Sequence, residues 1–212
     1  MPLSKSQPSS ARADGQTLLE RFAATRQLSE ALVESLSEAD ATLQSMEDAS
    51  PAKWHLAHTT WFWETFLLRE YAADYRIFDD RYPFLFNSYY EAKGARIARD
   101  QRGMLSRPSL AEIMDWRHSV DHAMVSLIRS GEHDDLVALG IAHEEQHIEL
   151  LLTDIKHAFF QNPLGPAMWD DRAPTQSQPH ERAWHTHPGG VARIGHQDDG
   201  PVLHYRTQTH RP

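Results

Sequence analysis

Residues 134–161 read "DDLVALGIAHEEQHIELLLTDIKHAFFQ". The stretch has no proline and stops just before Pro163, which is the pattern of one long helix. On a 3.6-residue turn, Leu136, Leu139, His143, His147, Leu150 and Asp154 fall in one stripe. Two imidazoles four residues apart thus sit between leucines on a face that reads as core. Burying them without partners costs roughly 1–3 kcal/mol each. A metal ion removes that cost, because a neutral imidazole nitrogen is a good ligand for Fe, Zn, Cu or Ni. Spacing i, i+4 lets both rings reach one ion. Glu149 lies about 200° around the helix from His147 and cannot join them. It is expected as an outer hydrogen-bond or inter-helix partner. Glu144 and Glu145 turn away from the stripe, towards water or arginine.

Three further helices are expected upstream. One covers about 16–37. A second, "SPAKWHLAHTTWFWETFLLREY", opens at Ser50 as a candidate N-cap with Pro51 at the first helical position. A third starts near Pro108 with Ser109 and Glu112 as a capping pair and stops near Gly131. No stretch alternates with period two. The reading is therefore an all-α, antiparallel four-helix bundle. Residues 76–106 form a long crossing loop, rich in aromatic residues and arginine, and loops of that length are more often functional than idle. A third metal ligand has to come from another helix, and the second offers His55 and His58. His58 shares a face with Trp54, Phe62 and Thr65; His55 is turned by about 60° and suits a hydrogen-bonding neighbour. His118, His122, His133 and His157 have no partner that the sequence names and read as ordinary core or rim residues.

Composition narrows the function. The 212 residues carry a net charge of −9 and no block of Lys/Arg, which argues against nucleic acid or an anionic membrane as a partner. The absence of cysteine excludes disulfides and thiolate metal sites and fits a cytoplasmic protein. Fourteen histidines are then the only nitrogen or sulfur ligands of note. Residues 1–15 are polar and rich in Pro and Ser, as in a disordered leader. The bundle is expected over 16–165, a linker over 166–183, and from 184 the opening of a second unit, "AWHTHPGGVARIGH". The last stretch, "QDDGPVLHYRTQTHRP", has no apolar pattern able to complete that unit.

The segments "SPAKWHLAHTTWFWETFLL", "FNSYYEAKGAR", "QRGMLSRPS" and "HEEQHIELLLTDIKHAF", in this order, resemble the N-terminal DinB-like domain of EgtB-type sulfoxide synthases of ergothioneine biosynthesis. The resemblance runs over roughly 15–170, and "AWHTHPGGVARIGH" resembles the start of that family's formylglycine-generating-enzyme-like second domain. It implies an iron(II) site on His58, His143 and His147, choosing His58 over His55. It also implies an O2-dependent union of trimethylhistidine (hercynine) with γ-glutamylcysteine or cysteine. By motif, Gln146 sits near the trimethylhistidine imidazole, and Arg96 and Arg99 hold the carboxylates of the thiol substrate. Guanidinium suits that task, being always charged and able to bind a carboxylate through two hydrogen bonds. The family's active-site tyrosine belongs to the second domain, so no catalytic residue is assigned here, and Tyr205 is not read as that tyrosine. This chain is expected to be an incomplete form that binds iron and makes no detectable sulfoxide. Two other readings stand beside it: a stand-alone DinB-type metal-dependent thiol transferase, and a non-catalytic metal-binding remnant.

Overall fold

A computed structural model describes residues 17–88, 94–169, 183–184, 186 and 189–190. The leader, most of the linker and nearly all of the expected second unit lie outside the described residues. Among those described there is no strand, and no helix is long and apolar enough to cross a membrane.

The first helix, α1 (Leu18–Val33), opens with a capping box in which Thr17 and Glu20 satisfy each other's backbone donors. It is shorter than the expected 16–37. Ser37 and Asp40 make a second capping box that starts a separate short helix, α2 (Glu38–Thr42). Next, α3 (Ala52–Trp63) runs on through a π-helical turn (Glu64–Leu68) into α4 (Arg69–Tyr71). Its N-cap is Pro51 and not Ser50. Ser50 is used otherwise: its N–H donates to Asp154 Oδ2 at 2.8 Å and its hydroxyl accepts from Arg102 Nη1 at 2.8 Å. The expected crossing loop holds α5 (Tyr82–Phe86) and a 3₁₀ turn (Arg99–Met104). The last two helices lie where their local signals put them. The first of these, α6 (Leu110–Ser130), begins with the Ser109–Glu112 capping box and ends at Gly131 with φ 69°. The second, α7, covers Asp134–Gln161.

Four long helices make the bundle, with α1 and α3 each packed against both α6 and α7. Every residue of α3 is buried, including Lys53, His55, His58, Thr59 and Thr60, so this helix is the axis of the core. Trp54, Trp61, Trp63 and Trp116 are its largest fully buried side chains. At Gly140 the α7 backbone lies against Trp63 so closely that a Cβ would stand 2.4 Å from the indole.

A buried ionic cluster ties the four helices together. Glu144 of α7 accepts from Arg26 of α1 (3.0 Å), Arg117 of α6 (2.5 Å), Trp63 of α3 (2.9 Å) and Ser29 of α1 (2.9 Å). Burial alone would push this carboxyl up, but Arg117 and Arg26 overcome that and hold it well below the usual carboxylate range. Glu144 does meet arginine, as expected, but inside the core and not at its surface; Glu145 is exposed. The buried arc of α7 accordingly runs through Val137, Gly140, Ile141, Glu144, Ile148, Leu151, Ile155 and Ala158, with His143 and Asp154 buried at its edge. The expected stripe is rotated from this arc: Leu136 and Leu139 are half-buried and Leu150 is exposed. A glutamate at the centre of the buried arc is what misdirects the periodicity.

Candidate metal centre

The rotation sets the two α7 histidines at one edge of the core. His143 is buried and His147 half-buried. On the facing helix α3, His58 is buried and points at the same place. One nitrogen from each of His58, His143 and His147 lies within 4.8 Å of the others, the span a single ion would bridge. Ring centroids are 5.1 Å apart for His58–His143, 4.6 Å for His58–His147 and 4.7 Å for His143–His147.

Packing fixes each ring. His58 stacks on Trp54 (4.7 Å, 9°) and on Trp61 (5.3 Å, 17°), the residues one turn before and after it on α3. Its Nδ1 donates to the Phe86 carbonyl at 2.6 Å, which leaves Nε2 with the lone pair. That carbonyl comes from the end of α5, so the crossing connection serves the site through its backbone. His143 lies flat on Phe62 (4.5 Å, 27°). His147 Nδ1 is 3.0 Å from His55 Nδ1, and His55 Nε2 is 3.0 Å from Asp154 Oδ2.

Burial keeps these rings neutral. Desolvation pushes His143 down to about 4, against the pull of Glu144, and carries His58 and His147 well below the ordinary histidine value, with the nearby His143 lowering both further. His55 is also lowered by burial, against the pull of Asp154. Neutral rings have lone pairs to give. The donor set passes a second test of fit: His143 Nδ1 is buried with no hydrogen-bond partner. A cation at the cluster compensates such a ring for its lost hydration. Three imidazoles suit a divalent ion of the iron-to-zinc group.

The other expected site residues are distributed around this cluster. Gln146 is half-buried on α7, three residues past His143. Arg99 is half-buried in the 3₁₀ turn, where its carbonyl accepts from Gln44 Nε2 at 2.8 Å. Arg96 is exposed and its guanidinium donates to the Ser88 carbonyl. Glu149 is exposed on α7, and the hydrogen bonds behind His147 run to His55 and on to Asp154. Tyr89 and Tyr90 of the connection lie outside the described residues.

Sequence reasoning overlooked Arg102. It is buried, its guanidinium 3.4 Å from the centroid of the Trp54 ring that in turn stacks on His58. Nothing in its local sequence separates it from the neighbouring arginines. Asp154 carried a signal, since it shares the stripe of His143 and His147, but its pairing with His55 depends on how α3 and α7 pack.

A family model described as the DinB superfamily matches residues 21–151, a span that contains all three clustered histidines. No curated protein matches the chain.

Proposed function

The chain belongs to the DinB superfamily, a metal-binding family, and on that footing we propose that it holds one iron(II) ion on His58, His143 and His147 as a module of the ergothioneine sulfoxide-synthase kind. The observation that carries the metal reading is the convergence of three neutral, buried imidazoles from two helices, with the rings already locked by stacking and hydrogen bonds. Pre-set rings lose little freedom when an ion binds, which favours binding. The choice of iron and of the reaction rests on the sequence resemblance.

In that reaction a thiol RSH, an imidazole C–H and O2 give the sulfoxide R–S(O)–imidazole and one water, which balances atoms and electrons. Bound iron would supply the activation of O2. The chain's own residues bind and orient. Arg99, with Arg96 beside it in sequence, holds the carboxylates of γ-glutamylcysteine or cysteine. Gln146 offers an amide to the imidazole of hercynine. Trp54, Trp61 and Phe62 wall the back of the cluster and exclude water from it, which strengthens each electrostatic contact inside. The partners proposed are these small molecules and O2, with neither nucleic acid nor membrane, and the compartment is the cytoplasm.

A second reading, a DinB-type metal-dependent thiol transferase, is favoured by the family match, which spans the bundle itself. One experiment tests the substrate proposal without requiring turnover. Anaerobic Fe(II)-loaded protein treated with nitric oxide is examined by electron paramagnetic resonance as γ-glutamylcysteine, then hercynine, is added. Each substrate is expected to perturb the signal, and the Arg96→Ala/Arg99→Ala protein is expected to lose the thiol effect alone. A thiol effect without any hercynine effect would favour the transferase reading, and no effect of either would overturn both.

A further inference from the structure

The three clustered histidines differ in what stands behind them. His58 leans on a backbone carbonyl, and His143 Nδ1 has no partner. His147 alone leans on another side chain, which leans on a third. From the outside inwards, Ser50 N–H donates to Asp154 Oδ2 (2.8 Å), Asp154 Oδ2 faces His55 Nε2 (3.0 Å), and His55 Nδ1 faces His147 Nδ1 (3.0 Å). The chain passes from α7 to α3 and back to α7, and both His55 and Asp154 are buried.

Proton counting gives this chain a direction. An ionised carboxylate only accepts, so the proton between Asp154 and His55 sits on His55 Nε2. A neutral imidazole carries one ring proton, so His55 Nδ1 is left with a lone pair. Two facing nitrogens 3.0 Å apart need one proton between them, and it must therefore come from His147 Nδ1. His147 Nε2 then has its lone pair free. Reversing any step puts the proton on His147 Nε2 and removes that lone pair.

We propose that Asp154 and His55 form a positioning relay that selects the metal-binding tautomer of His147 and thereby sets the affinity of the site for a divalent ion. The proposal rests on the reading of His58, His143 and His147 as ligands. It adds two residues, one of them beyond the span of the family match. Hydrogen bonding behind a ligating histidine orients the ring and raises its basicity, and loss of such a partner typically lowers metal affinity 10–100-fold.

The test combines two readouts on the full chain. The first is affinity for Fe(II) or Zn(II), measured by competition with a chelator. Asp154→Ala and His55→Leu are expected to bind 10–100-fold more weakly than the unaltered protein. Asp154→Asn and His55→Gln keep the direction of the chain. The asparagine oxygen can accept from Ser50 and His55, and the glutamine can accept from His147 while donating to Asp154. Both are expected to fall between the unaltered protein and the first pair, although all four lose part of the native packing. The second readout needs no metal. Long-range 1H–15N spectra of the metal-free protein are expected to show His147 protonated on Nδ1, with the Nε2-protonated form growing in His55→Leu. His147 protonated on Nε2 in the unaltered protein, or undiminished affinity in Asp154→Ala and His55→Leu, would overturn the relay. Failure of the unaltered protein to bind metal would overturn the ligand reading instead, and the spectra would still judge the direction of the chain.

Discussion

Replacing Glu144 by Ala should be among the most damaging single changes in the bundle. The side chain is fully buried and takes hydrogen bonds from Arg26, Arg117, Trp63 and Ser29. Its removal leaves two buried guanidiniums with poorer partners. Arg26 keeps Asp121 at 2.6 Å, while the one carboxylate left to Arg117 is Glu30, long and partly solvated at 3.3 Å, beside neutral acceptors on Thr59, Ser29 and the Arg26 carbonyl. Stranding one buried charge typically costs 3–5 kcal/mol. The surviving partner of Arg26 keeps the total at about 4 kcal/mol instead of twice that. With a urea slope of about 2 kcal/mol/M, the unfolding midpoint should fall by about 2 M with the slope unchanged. A compensated variant, Arg26→Met/Glu144→Leu/Arg117→Met, should recover most of the loss, because an apolar cluster of similar volume often matches a buried ionic one. The Glu144 carboxyl is depressed in the folded state, so its contribution is fully present above its unfolded value, near 4.3. That contribution is lost as pH falls from there through the folded value. The gap between the unaltered and Glu144→Gln proteins should therefore be constant at neutral pH and narrow only in acid. A Glu144→Ala cost below about 1 kcal/mol, the worth of a surface pair, would refute the reasoning.

Two local features make sharper tests of packing and capping. Gly140→Ala places a methyl group 2.4 Å from the Trp63 ring, and this indole also edges Phe22 at 5.0 Å and holds Glu144. Overpacking should cost about 1–3 kcal/mol despite alanine's better helix propensity, seen as a lower melting temperature; an unchanged or higher one would mean that α7 does not lie this close to α3. Ser109→Ala breaks the capping box of α6 and should cost about 1 kcal/mol, with faster amide exchange confined to the first turn of that helix; protection unchanged there would show that the cap contributes little.

Legibility in the sequence followed the range of the signal. The bounds of α6 and α7 came from short-range cues: a serine three residues before a glutamate, a glycine forced left-handed, a proline past the end. The facing of α7 did not, because Glu144 occupies the middle of the buried arc and its two arginines come from positions 26 and 117. Ser50 looked like a cap since serine usually is one; its backbone N–H is instead engaged by Asp154, 104 residues away. The His143/His147 pair was legible from spacing and His58 from resemblance. The support of His58 by the Phe86 carbonyl was not, because a backbone atom leaves no mark on residue type. His55 was legible as a hydrogen-bonding neighbour, but its link to Asp154 emerges only when α3 packs on α7.

The central claim is that His58, His143 and His147 hold one divalent ion. Anaerobic equilibrium dialysis against Fe(II), followed by elemental analysis of the protein, tests it most directly. The account predicts one ion per chain for the unaltered protein, none above background for His58→Ala, His143→Ala or His147→Ala, and weakened but detectable binding for His55→Ala. Stoichiometric iron in the His58→Ala protein, or none in the unaltered one, would contradict it.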